Sequence, residues 1–149
     1  MKEKIIADST CLIGLERTNH LRILKELYEA VIIPLEVEKE FGILKDWIKV
    51  KKPDNTQLVI SLKLIMDSGE AEAIALASMM EKSIILDDKQ ARNIAKRMKL
   101  KVIGTVGVLI KAKNAGIIHA VKPIIEDLER NNFHISDNLR NEALKIAKE

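Results

Sequence analysis

The stretch SIILDD, residues 83–88, joins a short apolar run directly to two carboxylates. Residues 4–8 (KIIAD) repeat this arrangement, because Asp8 closes the apolar run Ile5-Ile6-Ala7. Neither run alternates polar and apolar residues, which is typical of strands that are covered on both faces. Both stretches therefore predict buried strands that end in acidic side chains.

The rest of the chain alternates such runs with segments of helical periodicity. The predicted strands cover Lys4 to Ala7, Ala30 to Ile33, Ser83 to Leu86, and Lys101 to Ile103. The helical segments carry the apolar positions Leu21, Leu24, Leu27 and Tyr28; Val37, Phe41 and Leu44; Leu58 to Met66; Ala71 to Met80; and Ile94 with Met98. Strands that alternate with helices predict an α/β protein, a three-layer α/β/α sandwich with a mainly parallel central sheet.

Composition limits the class of protein. A chain of 149 residues that is 47% hydrophobic suits one domain, residues 1–149, with a full core. Its net charge of +3 is too small to indicate nucleic-acid binding by itself. Cys11 is the one cysteine, which excludes a disulfide framework and predicts a buried apolar role. No apolar run is long enough for a membrane span, so a soluble, cytoplasmic protein without a membrane partner is expected.

Two of the acidic residues have a functional and a structural interpretation. Asp8 opens the triplet DST and is either a metal ligand or a helix N-cap, in which case its oxygen accepts from helix N–H groups. Glu40 lies three residues after Val37 on the predicted helix that begins after Pro34, so it faces the protein body. The alternative for Glu40 is a solvated surface charge, and Glu36 is a weaker candidate on the same helix.

The other acids belong to two further segments. Asp67 and Glu70 fit an acidic variant of the capping box, while Glu70 or Glu72 lies at the start of an alanine-rich helix that can pack closely. We rank Glu70 ahead of Glu72. Asp87 and Asp88 follow a strand directly, so one is able to cap the next helix while the other needs a partner. We favour Asp88 as the ligand.

Acids at the ends of several parallel strands predict a cation site. Like charges a few ångströms apart raise each other's pKa, and a divalent cation that binds them relieves the repulsion. The chain lacks a Walker loop, a dinucleotide-binding glycine turn and a Gly-x-Ser-x-Gly elbow. Its three histidines lack metal-ligand spacing and are interpreted as surface or packing residues: His20, His119 and His134.

The order of five segments resembles PIN-domain proteins, in particular the VapC-like toxin ribonucleases and their uncharacterised prokaryotic relatives. The segments are IIADST (residues 5–10), IIPLEVEKEF (32–41), GEAEAIALA (69–77), IILDDKQAR (84–92) and VIGTVGVLIKAKNAGII (102–118). The resemblance runs nearly end to end. It implies a metal-dependent ribonuclease site made of three or four acids.

When the family's acidic positions are carried over to this sequence, the resemblance implies a catalytic set of Asp8, Glu40, Glu70 and Asp88. This sequence departs from the family pattern at Glu70, where an Asp is usual, and in having two consecutive Asp residues, Asp87 and Asp88. Glu72 and Asp87 therefore remain possible metal ligands. Ser9 and Thr105 resemble family positions whose hydroxyl groups support the site. Four basic residues near the rim are candidates for RNA binding, with an ordinary solvated helix face as the alternative: Lys39, Lys89, Arg92 and Lys96.

The resemblance implies an Mg²⁺- or Mn²⁺-dependent endoribonuclease, the toxin of a toxin–antitoxin pair, with RNA as its substrate. One alternative is a catalytically weak PIN-like module that binds nucleic acid or protein. Another is a metal-dependent phosphatase-like α/β protein that acts on small phosphate esters. Mn²⁺ binding distinguishes the ribonuclease from the catalytically weak module. The substrate, RNA or a small phosphate ester, distinguishes the ribonuclease from the phosphatase-like protein.

Early aliphatic residues also suggest a partner. The chain carries an excess of them on its first helices: Leu12, Ile13, Leu15, Leu21, Ile23 and Leu24. If one sheet is unable to cover them all, they predict a homodimer and an apolar groove for a partner helix. The family resemblance implies an antitoxin in that groove. The alternative is that these residues complete the core of a single chain.

Overall fold

A computed structural model describes residues 2–149 and contains a five-stranded parallel sheet with strand order β3-β2-β1-β4-β5. The strands are β1 (Lys4–Ala7), β2 (Ala30–Ile33), β3 (Ile48–Val50), β4 (Ile84–Ile85) and β5 (Val102–Ile103). The helices are α1 (Ser9–Arg17), α2 (Arg22–Leu27), α3 (Leu35–Phe41), α4 (Thr56–Lys63), α5 (Ser68–Met80), α6 (Lys89–Arg97), α7 (Thr105–Asn114), α8 (Lys122–Arg130) and α9 (Asp137–Ile146).

The four predicted strands are confirmed, although β4 and β5 are shorter than expected. The bounds of β1 and β2 agree with the prediction residue by residue. The strand β3 is not among the predicted ones. Only Ile48 of its three residues is buried, so this short edge strand lacks the continuous apolar run of the central strands.

Two apolar layers cover the sheet, which confirms the three-layer α/β/α architecture. Successive residues of a strand point to opposite faces. Ile5 of β1 packs with the layer that includes α1, α2 and α7 to α9, whereas Ile6 packs with the layer of α4, α5 and α6. In the same way Ile85 and Ile84 of β4 enter opposite layers. Both faces of the central strands are thus buried, which explains their apolar runs.

Helix α3 ends earlier than its apolar stripe predicts. Gly42 follows Phe41 in the left-handed conformation, with φ 71°, and its N–H bonds to the carbonyl of Glu38. A glycine adopts this conformation without the steric cost of a side chain, so it ends the helix. Leu44 therefore lies outside α3 and is 84% exposed. The prediction that Leu44 faces the core with Val37 is wrong.

Local capping chemistry sets several helix ends. Asn55 and Ser136 are the N-caps of α4 and α9, and each side chain accepts a hydrogen bond from a backbone N–H of the first turn. Gly116, with φ 77°, follows the end of α7. These residue types are common at helix ends because their side chains or conformational freedom satisfy the terminal backbone groups.

The aliphatic residues of the first helices do not form a free face. Five of the six that motivated a partner groove are buried, and Ile13 is partly buried against the core: Leu12, Leu15, Leu21, Ile23 and Leu24. They complete the core of the single chain, so they give no support to a dimer. Large exposed apolar side chains lie elsewhere, at Leu35, Ile60, Leu64 and Ile65 among others.

Two expectations from composition also have structural counterparts. None of the helices within residues 2–149 combines the length and apolar character needed to cross a membrane. Cys11 is 1% exposed, and burial raises the pKa of its thiol far above the usual range. A thiol in this state is unreactive, which confirms its packing role.

Candidate functional site

The carboxyl ends of β1 and β4 form a crevice. The chain runs from β1 to β2 and β3 on one side of the sheet, and later adds β4 and β5 on the other side. Ligands of open parallel sheets bind outside the carboxyl ends of the strands, at the point where the strand order reverses. Asp8 follows β1 at this point, and its backbone N–H bonds to the carbonyl of Ile85, 3.2 Å away. Asp87 follows β4 two residues later.

Asp8 is a buried carboxylate with an unused oxygen. It occupies the N-cap position of α1, yet its side chain makes no capping hydrogen bond. The residue is 4% exposed, and its Oδ1 atom has no hydrogen-bond partner. A buried polar atom of this kind is costly unless something binds it. The structure therefore favours the ligand interpretation of Asp8 over the helix cap.

The surroundings of Asp8 favour its protonated form. Its pKa is raised from 3.8 to about 7, mainly by burial, although the hydrogen bond from the N–H of Ser9 acts in the opposite direction. The nearby carboxylates of Asp67, Glu40 and Asp87 contribute smaller parts of this rise, in that order. A positive charge in the crevice would lower the pKa of Asp8 and so oppose the effects of burial and of the neighbouring carboxylates, since it stabilises the ionised form.

Glu40 reaches the same crevice from α3. The hydroxyl of Ser9 donates to Glu40 Oε2 over 3.3 Å, which gives Ser9 the supporting contact that the family resemblance implied. Gly69 leaves space for these carboxylates. A Cβ atom on Gly69 would lie 2.6 Å from Glu40 Oε1 and 3.4 Å from Asp8 Oδ1. Oxygens of two acids thus converge on one point beside the Gly69 backbone.

Glu70 lies at the start of α5 and is 8% exposed. Its backbone N–H bonds to Asp67 Oδ1 over 2.8 Å, which confirms the predicted cap. The pKa of Glu70 is raised from 4.5 to about 8, mainly by burial, with smaller contributions from the charges of Asp67, Asp8 and Asp88. Asp67 acts on both Asp8 and Glu70, although it was not predicted as a site residue. Its place at the N-cap of a helix that begins at the crevice was the available signal.

Asp87 and Asp88 have different partners. Thr105 holds Asp87 through its N–H, 2.8 Å from Oδ1, and its hydroxyl, 2.6 Å from Oδ2. Burial raises the pKa of Asp87, while these two bonds and the charge of Arg92 oppose that rise. Asp88 Oδ2 caps α6 by accepting from the N–H of Ala91. Thr105 therefore supports Asp87, whereas one carboxylate oxygen of Asp88 is used to cap α6.

Glu72 points away from these acids. Its Oε2 lies 3.5 Å from Lys63 Nζ, and its Oε1 accepts from the N–H of Glu36 over 3.5 Å. The remaining acids are called the acid cluster below: Asp8, Glu40, Asp67, Glu70, Asp87 and Asp88. Asp8 and Glu40 border the space beside Gly69, Asp87 bonds to Thr105, and the remaining members either raise the pKa of Asp8 or Glu70 or, as Glu70, have their own pKa raised by the cluster.

The four basic candidates have distinct environments. Lys39 pairs with Glu36 on the surface of α3, with 3.3 Å between Nζ and Oε1. Lys89 is exposed at the start of α6, next to the acid cluster. Lys96 is also exposed but lies about two helical turns, roughly 10 Å, further along. Arg92 turns inward and donates to the carbonyl of Leu86.

The acid cluster is not preassembled as a cation cage. Among residues 2–149, no group of three or more His, Cys, Asp or Glu side chains is positioned to hold a metal ion. Mutual repulsion keeps like charges apart, and capping or hydrogen bonding fixes several of these carboxylates. The donor set nevertheless suits a hard divalent cation, because it offers carboxylate oxygens and the unused Oδ1 of Asp8.

The fold and this crevice define a class of α/β proteins with an acidic site at the switch point of a parallel sheet. The DUF3368 family model, described as a PIN domain, matches residues 4–149. The chain therefore belongs to the PIN-domain family, which confirms the resemblance to PIN domains; these are generally nucleases.

Comparisons with individual proteins are less extensive. A PilT N-terminus domain protein from the hyperthermophilic archaeon Sulfolobus solfataricus P2 is similar in structure, with a TM-score of 0.47 and 17% sequence identity. The similarity covers 73% of this chain and 92% of that one. No curated protein matches the sequence.

Proposed function

We propose that the chain is an Mg²⁺- or Mn²⁺-dependent endoribonuclease that hydrolyses RNA phosphodiester bonds at the acid cluster. The observation that carries this proposal is Asp8, whose buried Oδ1 lacks a partner at the switch point of the sheet. A buried carboxylate oxygen without a donor is the group that a cation would satisfy.

The chain's own residues supply the ligands and their support. Asp8, Glu40 and Asp87 would hold the ion, with Glu70 and Asp88 close enough to contribute charge or bind water. Ser9 and Thr105 orient two of these carboxylates through hydroxyl hydrogen bonds of 3.3 and 2.6 Å. A bound Mg²⁺ or Mn²⁺ ion supplies a water of lowered pKa and positive charge for the phosphodiester.

Exposed cations at the rim would hold the RNA backbone. Lys89 is the best placed of the predicted basic residues, because it is exposed and follows Asp88 directly. Lys39 already pairs with Glu36, and exposed pairs of this kind are weak enough to exchange partners. Contacts to phosphates carry no base information, so this surface predicts binding of single-stranded RNA with little sequence preference.

Metal titration tests the site. Calorimetry should show Mn²⁺ binding to the wild-type chain and its loss in Asp8→Asn, because the substitution removes a charged ligand without changing side-chain volume. Asp46→Asn is the matched control, since Asp46 is exposed in the loop before β3, near the amino ends of the parallel strands and not the carboxyl ends where the acid cluster lies. A labelled single-stranded RNA should be cut by the wild type with Mn²⁺ and left intact with EDTA. Full metal-dependent cleavage by Asp8→Asn would contradict the assignment.

A binding module without catalysis is the second candidate. Two observations favour it: no metal-holding group is assembled within residues 2–149, and Asp67 and Asp88 each cap a helix. Such a module would bind RNA or protein equally well with and without EDTA. A wild-type chain that binds RNA but shows no heat of Mn²⁺ binding would establish this second function in place of the first.

We also propose that the chain is the toxin of a toxin–antitoxin pair and acts as a homodimer. The supporting surface, called the apolar patch, would consist of exposed apolar side chains at the start of α3, on α4 and directly after α4: Leu35, Ile60, Leu64 and Ile65. Contacts of Glu72 with Lys63 and with the Glu36 N–H link the end of α4 and the start of α3 to α5. An antitoxin segment with apolar residues and one basic side chain would fit both surfaces.

Two measurements address this role. Induced expression should arrest growth with the wild type and not with Asp8→Asn. Light scattering at micromolar concentration should report a dimer that Leu64→Glu converts to a monomer, because this 82% exposed side chain contributes to the patch and not to the core. If the wild type is a monomer, the proposed homodimer is refuted, whereas the proposed metal site is unaffected.

A further inference from the structure

The carboxyl end of β4 is fixed by three separate polar contacts. Arg92 Nη1 donates to the carbonyl of Leu86 over 2.8 Å. Thr105 holds both oxygens of Asp87, and Asp88 caps α6. Three consecutive residues are thus each tied to a partner on α6 or α7. The direction of the Asp87 side chain depends on this arrangement, because it lies in the middle of the segment.

The guanidinium of Arg92 and the carboxylate of Asp87 each approach Gly104 closely. A Cβ atom on Gly104 would lie 2.8 Å from Arg92 Nη1 and 3.2 Å from Asp87 Oδ1. The backbone φ of Gly104 is −92°, which any residue can adopt, so conformational freedom does not explain the glycine here. The presence of glycine is explained by the close approach of the Arg92 and Asp87 side chains to residue 104, which leaves no room for a Cβ atom.

We infer that Arg92 is a positioning residue for the Asp87 carboxylate and not a contact for RNA. Its guanidinium is committed inward, to the Leu86 carbonyl and the space beside Gly104. A planar guanidinium can donate to the Leu86 carbonyl in a fixed orientation while its charge acts on the nearby Asp87 carboxylate, whereas a lysine ammonium is a point charge on a flexible stem. This replaces the RNA-binding role predicted for Arg92, and it rests on the proposed metal site.

The direction in which Mn²⁺ affinity changes on substitution of Arg92 distinguishes a positioning role from a purely electrostatic one. Removing a positive charge from beside a cation site strengthens cation binding if electrostatics alone acts. Removing a residue that orients a metal ligand weakens binding, by about 10–100-fold in typical cases. The two roles of Arg92 therefore predict opposite changes in Mn²⁺ affinity.

The experiment compares Arg92→Gln and Arg92→Lys with Arg97→Gln, which removes one exposed charge from the same helix without touching the β4 end. Titration with Mn²⁺ should show affinity at least about ten-fold weaker in both Arg92 variants and not in the control. Gly104→Ala should weaken it similarly, because its Cβ displaces the guanidinium while Arg92 is still present.

Hydrogen exchange in EDTA gives a second readout that needs no metal. The Thr105 amide, which bonds to Asp87, should exchange faster in Arg92→Gln, while the Glu70 amide, which bonds to Asp67, should not change. Tighter or unchanged Mn²⁺ binding, restoration by Arg92→Lys, or unchanged Thr105 exchange would overturn the inference. If the wild type binds no Mn²⁺, the proposed function fails and the exchange of Thr105 alone decides the role of Arg92.

Discussion

Gly69→Ala is expected to remove function from the acid cluster with little effect on stability. The added Cβ would lie 2.6 Å from Glu40 Oε1, closer than such contacts allow, and 3.4 Å from Asp8 Oδ1. Glu40 is exposed and its carboxylate is the end of a flexible side chain, so it rotates away. Its hydrogen bond from Ser9 is then lost, and the two carboxylates no longer converge.

Two opposing terms set the stability of this variant. Alanine in a helix is more favourable than glycine by up to about 1 kcal/mol, and less within the first turn, where residue 69 lies. Loss of the hydrogen bond between Ser9 and Glu40 costs about 0.5–1.5 kcal/mol. The free energy of unfolding should therefore change by less than about 1 kcal/mol, which moves Tm by no more than about 4 °C.

Mn²⁺ titration and RNA cleavage measure the functional loss, and urea unfolding in EDTA measures the stability. We expect Mn²⁺ affinity to fall about ten-fold or more, equivalent to at least about 1.4 kcal/mol. Ser68→Ala is the control for changes at the exposed start of α5. In a chain that already carries Glu40→Ala, Gly69→Ala should have no further effect on the metal, because neighbouring sites that share one group are not additive. Wild-type affinity in the Gly69→Ala single variant would refute the convergence at Gly69.

Two further predictions concern pH. In EDTA, the folded chain retains a proton on Asp8 up to a pKa of about 7, whereas the unfolded chain loses it near 3.8, so stability should fall by about 2–4 kcal/mol as pH rises between these values. Urea unfolding should show a smaller slope in Asp8→Asn, in which the contribution of Glu70, whose pKa is also raised, remains, and an unchanged slope would contradict the burial of the Asp8 charge. Glu149 shows the reverse dependence: partial burial opposes its ionisation, but bonds from Lys113 Nζ and the N–H groups of Val121 and Lys122 outweigh it and lower its pKa from 4.5 to about 2. Stability from this contact is present above pH 4.5 and lost as pH falls toward 2, and Glu149→Gln should cost about 1 kcal/mol at pH 7 and nothing at pH 2.

The strands and helix caps were predictable because they depend on local chemistry. A continuous apolar run indicates a strand with both faces covered, and β1 and β2 lie where such runs occur. Caps such as Asp67 and Ser136 depend on bonds within one helical turn, so spacing reveals them. The exception, β3, is at the sheet edge and lacks the apolar run.

The roles of the individual acids depended on contacts that spacing does not record. The sequence led us to favour Asp88 over Asp87 as the ligand, but α7 brings Thr105 to Asp87, and Asp88 caps α6. Arg92 illustrates the same limit. Its position on a basic helix indicates an exposed charge, and only the packing of α6 against the end of β5 turns it toward Leu86.

The sequence by itself determined that this is a parallel α/β protein with acids where its central strands end, because apolar runs and adjacent carboxylates are properties of short segments. The tertiary structure decided which acids share an environment. Strand order brings Asp8 and Asp87 to one crevice although 78 residues separate them in the chain. Burial, the space left by Gly69 and the bonds from Ser9 and Thr105 then give each carboxylate its own protonation and direction, since these depend on neighbours that are distant in sequence.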